Sequence, residues 1–149
     1  MAYPVNQTTV HPFSAQVADA LLSPAAFALP SAASSSTNSA TVDLGSAAPN
    51  QPGSVELELN IPALTDTMVP NTRTVTYIVE TCTATNFSTI DKTLYSEVFT
   101  GAGSGIAAQV KRLRLPADCA RYIRAKVTLG ASTTDSSAKS ATLKVLFGS

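Results

Sequence analysis

The sequence predicts an all-β fold, an antiparallel β-sandwich or jelly roll with an extended N-terminal arm. Three observations carry the prediction. Apolar and polar residues alternate with period two in several segments, as in Val55-Glu56-Leu57-Glu58-Leu59-Asn60-Ile61 and Ile123-Arg124-Ala125-Lys126-Val127-Thr128-Leu129. Side chains on a strand point to alternate faces, so this pattern marks strands with one dry and one wet face. Such segments recur at roughly 8–15 residue intervals, separated by turn residues. No stretch beyond residue 38 has convincing helical spacing.

Residues 1–38 read as an arm. Pro4, Pro12, Pro24 and Pro30 punctuate them, and Ser31 to Ser39 is almost entirely Ser, Ala, Thr and Asn. Alone, such a segment buries too little surface to offset its ordering entropy. Its apolar residues Phe13, Leu21, Leu22 and Phe27 are expected to anchor it on a partner surface. Residues 39–149 read as the β domain. It opens on a short strand at Ala40 to Leu44, and Val55 to Ile61 is the next, ended by Pro62. Thr72 to Cys82 is rich in β-branched residues and suits a strand. Leu94 to Phe99 follows, and Gly101-Ala102-Gly103-Ser104-Gly105 is expected to be a flexible connection. Val110 to Leu129 is expected to form the central hairpin, turning at Pro116-Ala117-Asp118-Cys119. After a polar loop from Ala131, Ala141, Leu143 and Val145 mark the inner face of the last strand. The expected core comprises Leu57, Leu59, Val75, Tyr77, Val79, Leu113, Leu115, Ile123, Val127, Leu143 and Val145.

Charge is sparse and unevenly spread. Ten basic and ten acidic residues leave no net charge, yet no Lys or Arg precedes Arg73. Acids of the first half can be neutralised by bases of the second, within one fold or between copies. A hairpin at 110–129 would gather Arg112, Arg114, Arg124, Lys126 and the Tyr122 ring on one wet face. Two readings compete for that face. Arginines beside an aromatic suit single-stranded nucleic acid. Cross-strand pairing with Glu56 and Glu58 would instead dress an ordinary wet face, and the zero net charge favours it.

Catalytic and metal chemistry find little to work with. His11 is the only histidine and falls in the arm, so no His-based triad or zinc cluster can form within one chain. Cys82 and Cys119 lack Cys-x-x-Cys spacing and read as buried free thiols. The glycine run at 101–105 lacks the Lys-Ser/Thr of a phosphate loop. No catalytic residue, metal or cofactor is expected, and neither a signal peptide nor a membrane span fits the N-terminal stretch.

Several runs resemble the small capsid cement (decoration) proteins of tailed bacteriophages. They are Ser36 to Gly45 (STNSATVDLG), the strand Leu57 to Ile61 (LELNI), and Thr74 to Thr81 (TVTYIVET). The others are Arg121-Tyr122-Ile123-Arg124 leading a strand to Gly130, then a polar loop and Ala141-Thr142-Leu143. In order, they cover about residues 35–149. The resemblance implies a jelly-roll-like virion structural protein, assembled in the host cytoplasm, that sits on the outer capsid surface and stabilises contacts between capsomers. It implies the major capsid protein and further copies of itself, as a dimer or trimer, for partners, with no membrane and no direct nucleic acid. Capsid contacts would come from Phe13, Leu21, Leu22, Phe27, Arg112, Arg114, Tyr122, Arg124 and Lys126. The departure from the family pattern is the arm. The alternative reading is a β-sandwich adhesion or carbohydrate-binding module, such as a phage fibre component.

Overall fold

The computed structural model describes residues 17–18, 24–45 and 54–148. Among these residues there are ten strands and no helix. They are β1 (Val17–Ala18), β2 (Phe27–Ala28), β3 (Ser36–Asn38), β4 (Val42–Asp43), β5 (Ser54–Ile61), β6 (Thr74–Cys82), β7 (Lys92–Thr100), β8 (Gln109–Arg114), β9 (Tyr122–Leu129) and β10 (Ser140–Gly148). All pairings are antiparallel, in two sheets ordered β1-β10-β5-β8 and β3-β9-β6-β7. β2 joins the β10 edge beside β1, and β4 joins the β9 edge beside β3. Counting each of these short pairs as one strand position leaves eight positions, arranged 1-8-3-6 and 2-7-4-5. That is the jelly-roll connection: eight strands wound into two packed sheets.

Period-two alternation produces the core as expected. On β9, Ile123, Ala125, Val127 and Leu129 are buried while their neighbours are half-exposed. Leu57, Leu59 and Ile61 from β5 and Ala141, Leu143 and Val145 from β10 face them across the sandwich. Val75, Tyr77 and Val79 of β6 complete the layer. Leu113 and Leu115 are only partly buried and pack against its rim.

The expected hairpin at 110–129 does not form. β8 pairs with β5 and β9 with β6, so the two arms lie in different sheets. Both arms point apolar residues at the same core, but from opposite sides. Alternation along a strand is identical in the two cases. The long hairpin within one sheet is instead β6–β7, with a bulge beside Val79 and Glu80.

The described end of the expected arm is also built into the sandwich. Phe27 and Ala28 pair with Ala141 and Ser140, and Ser36 to Asn38 pair with Thr128 to Lys126. Phe27 and Leu29 are core residues. β-sandwich structure therefore begins ahead of residue 39, and Phe27 packs in the core of its own chain.

The glycine run is a fitted connection between sheets. Leu64 and Ile106 exchange backbone hydrogen bonds at 2.9 and 2.8 Å. Gly105 takes φ +77°, and a Cβ there would stand 2.1 Å from the Leu64 carbonyl oxygen. Only glycine accepts both demands. Gly101 is equally confined, with room for no Cβ beside the Val69 carbonyl.

One core atom is orphaned. The Tyr77 hydroxyl is buried with no hydrogen-bond partner among the described residues, while its ring meets Phe99 edge-on at 5.7 Å. Burial pushes its pKa far above the ordinary phenol value. Tyr77→Phe is therefore expected to leave stability unchanged or raise it by about 1 kcal/mol, because it removes an unsatisfied polar group. Val127→Ala should cost about 1–3 kcal/mol, and Thr128→Ala less than about 0.5 kcal/mol. Urea unfolding followed by circular dichroism measures all three.

Candidate functional site

The residues expected on one basic face occupy two. Arg112 and Arg114 stand on the outer face of the β10-β5-β8 sheet, whereas Tyr122, Arg124 and Lys126 stand on the outer face of the other. Phe13, Leu21 and Leu22 lie outside the described residues.

On the first face, register sets the charges in rows. Glu58 lies between Lys144 and Arg112, and Glu56 lies beside Arg114. Arg112 Nε donates to Glu58 Oε2 at 3.0 Å, and Asn60 Nδ2 donates to Glu58 Oε1 at 3.1 Å. Lys144 Nζ stands 3.8 Å from the same carboxylate. The Asn60 donor first, then Arg112, hold the Glu58 pKa below its ordinary value against the opposing effect of burial. Arg114 reaches Glu56 only at 4.0 Å, and its side chain is 73% exposed. Cross-strand pairing with Glu56 and Glu58 is thus what the structure shows for these two arginines.

On the second face, each arginine is held between a carboxylate and a ring. Arg124 donates to Glu80 at 2.6 Å and lies 4.2 Å from the centre of the Phe87 ring. Glu80 and Arg124 are directly opposite on β6 and β9. Phe87 takes φ +50°, which costs a bulky residue about 1–3 kcal/mol. Its ring is buried, and burial together with the guanidinium contact offsets that strain. Arg121 makes a two-pronged bond to Asp43 at 2.7 and 2.8 Å and lies over the Tyr122 ring at 5.0 Å. Arg121 foremost, with the Gly45 N–H, holds the Asp43 carboxyl down at about 2. Lys126 makes no ion pair among the described residues.

A third charged group closes the flank between the sheets. Lys111 and Glu97 sit at inward-facing positions of β8 and β7, aligned with core residues Leu59 and Tyr77. Lys111 Nζ is 2.9 Å from Glu97 Oε2 and 5.6 Å from the centre of the Phe99 ring. The Tyr95 hydroxyl donates to the same carboxylate. Sequence reading missed this latch. Its one local signal is Tyr95 and Glu97 two apart on a strand, while Lys111 comes from the other sheet.

Among the described residues, no group of three or more His, Cys, Asp or Glu side chains could hold a metal ion. Cys82 and Cys119 are both buried and free. Cys82 Sγ donates to the Thr89 carbonyl at 3.0 Å. Burial, reinforced by Asp118, raises the Cys119 thiol pKa, which disfavours a thiolate. No helix of the described residues is long and apolar enough to cross a membrane.

These features define an all-β jelly roll whose two outer faces carry paired charges. No family model and no curated protein matches the chain. Several solved structures are similar. One is the cleaved adhesin domain of Lys-gingipain from Porphyromonas gingivalis, at 18% identity and a TM-score of 0.42, over 76% of this chain. This chain spans 62% of that domain's length. Another is the carbohydrate-binding module CBM27-1 of Caldicellulosiruptor saccharolyticus, solved in complex with mannohexaose. It shares 16% identity with a TM-score of 0.46, over 95% of this chain and 86% of that one. Likeness at these levels concerns β-sandwich architecture and nothing finer.

Two predictions follow from the geometry. Arg124→Ala should destabilise the domain by about 2–4 kcal/mol, because it strands the buried Glu80 carboxylate. Arg114→Ala should cost no more than about 1 kcal/mol. Denaturant titration of both variants separates them. The second concerns acid. Asp43 and Glu58 are more acidic folded than unfolded, so their contribution is complete above the ordinary carboxylate range and is lost as pH falls through it. The urea midpoint should fall below about pH 4, and Asp43→Asn should flatten the part of that fall extending toward pH 2.

Proposed function

We propose that this chain is a non-catalytic virion structural protein, a cement protein that binds the outer surface of a tailed-phage capsid and bridges capsomers. The observation that carries the reading is where the family-like runs fall. Ser36 to Gly45 spans β3 and β4, Arg121 to Gly130 contains β9, and Thr74 to Thr81 lies in β6. These are hydrogen-bonded neighbours in one sheet. Leu57 to Ile61 and Ala141 to Leu143 lie in β5 and β10, neighbours in the other. The resemblance thus follows the framework strands of both sheets, which supports likeness of a whole domain over likeness of scattered segments.

The mechanism is bridging by many modest contacts. A capsid is a repeated surface, and linking two weak sites raises apparent binding by about 10²–10⁴-fold without any new contact. Bridged capsomers then resist separation under pressure from packaged DNA. Arg114, outward on the first sheet, 73% exposed and no nearer than 4.0 Å to Glu56, is the first-sheet arginine best placed to meet acidic capsid loops.

The second reading is an adhesion or carbohydrate-binding module, the kinds of domain named for two of the similar structures. Jelly rolls serve viral capsids and lectins alike, so the fold does not choose. The tyrosines do bear on it, because sugar sites commonly use exposed rings. Tyr77 is in the core, Tyr95 is tied to Glu97, and Tyr122 lies under Arg121. The exposed large hydrophobic side chains among the described residues are Ile90, Val98 and Val110, none aromatic.

Mixing the protein with mature capsids of the matching phage should give saturable co-sedimentation at a fixed copy number and greater thermal resistance of the particle. Arg114→Ala should lower occupancy while changing the unfolding free energy by no more than about 1 kcal/mol. Glycan binding without capsid association would establish the second reading instead.

A further inference from the structure

We propose that β7 is the seam through which two copies of this chain associate, strand to strand about a two-fold axis at Ser96. The inference does not rest on the capsid reading. It starts from where the two sheets end. On one flank the edges are short pieces, two residues each for β1, β2 and β4 and three for β3. On the other flank they are long, nine residues for β7 and six for β8, each paired on one side only among the described residues. Every second residue of an edge strand turns its N–H and C=O outward, which makes it a template for another strand. The long unpaired ladder edges of the described residues therefore share one flank, held together by the Lys111–Glu97 ion pair.

Charge separates the two candidates. β8 reads Gln109-Val110-Lys111-Arg112-Leu113-Arg114, three cations and no anion within six residues. A second β8 would bring cation against cation, the usual protection of an edge. β7 reads Lys92-Thr93-Leu94-Tyr95-Ser96-Glu97-Val98-Phe99-Thr100, one cation and one anion, with no proline. From Tyr95 to Thr100 its pairing with β6 is regular. Val98 points out of the sheet and is 58% exposed, an apolar side chain with no cover among the described residues.

A copy of β7 is the occupant that fits. Antiparallel pairing of identical strands is what a two-fold axis produces, with the same patch used on both sides. Full overlap of Lys92–Thr100 with itself places Ser96 opposite Ser96. It also sets Glu97 of each copy opposite Tyr95 of the other and Lys92 opposite Thr100, so no like charges meet across the axis. The two β6-β7 sheets would become one continuous sheet across the pair.

Sedimentation equilibrium of the full chain across micromolar concentrations tests this. The wild type should form dimers, and Val98→Lys should raise the dissociation constant about tenfold or more. Val110→Lys, at an equally exposed site on β8, should leave it unchanged. Under mild oxidation Ser96→Cys should cross-link into a covalent dimer, and Val110→Cys should not. A monomer at every concentration, a dimer indifferent to Val98→Lys, or cross-linking through position 110 in place of 96 would each overturn the proposal. No capsid is present in these measurements, so their failure leaves the cement reading standing, and the reverse also holds.

Discussion

Among the described residues the two sheets share no backbone ladder, so the apolar layer between them holds the fold together. Leu57, Leu59 and Val145 on one side and Tyr77, Val79, Ile123 and Val127 on the other are all fully buried there. Burial is worth about 25 cal/mol per Å² of apolar surface, and it is gained only when the facing sheet is present. Each sheet is the other's solvent shield, which makes the chain's repeated crossing between sheets a condition of stability. The connections after β5, β7, β8 and β9 all make that crossing. The Gly101–Gly105 turn is tight for the same reason, since it must deliver β8 to the opposite sheet while locking onto Leu64 and Val69.

Electrostatics adds register to this frame more than it adds stability. Three of the five acids ahead of Arg73 find bases beyond it: Asp43 meets Arg121, Glu56 meets Arg114, and Glu58 meets Arg112 and Lys144. Sliding β5 by one residue along β8 would turn Glu56 and Glu58 into the core and expose Leu57 and Leu59. Seven of the ten basic residues are in ion pairs, so little unpaired positive charge remains to attract a polyanion. The partially buried Arg124–Glu80 pair over Phe87 is the exception in energy, because neither charge retains full access to water.

Function on such a frame belongs to its surfaces. The domain presents two charged faces, a latched flank with two long strand edges, and an opposite flank closed by short strands. Loops gather at the end where Leu64, Met68, Gly130 and Thr134 exchange hydrogen bonds with neighbouring turns.

By itself the sequence determined the strands and their inner faces, because period-two alternation is a local property that survives any arrangement of the sheets. The cross-strand partners of Arg112 and Arg114 were legible too, as Glu56 and Glu58 are the outward residues of the next clear strand. Which sheet each strand joins was not legible. Alternation looks the same whether β8 and β9 lie side by side or face each other, and only the packed core distinguishes the two. The same limit hid Phe27 and Leu29, whose burial depends on β10, more than a hundred residues away in the chain. It hid the Lys111–Glu97 latch as well, since a charge at an inward position makes sense only once a facing sheet supplies its counter-ion. Tertiary structure decided these points because each depends on a neighbour that adjacency in the chain does not name.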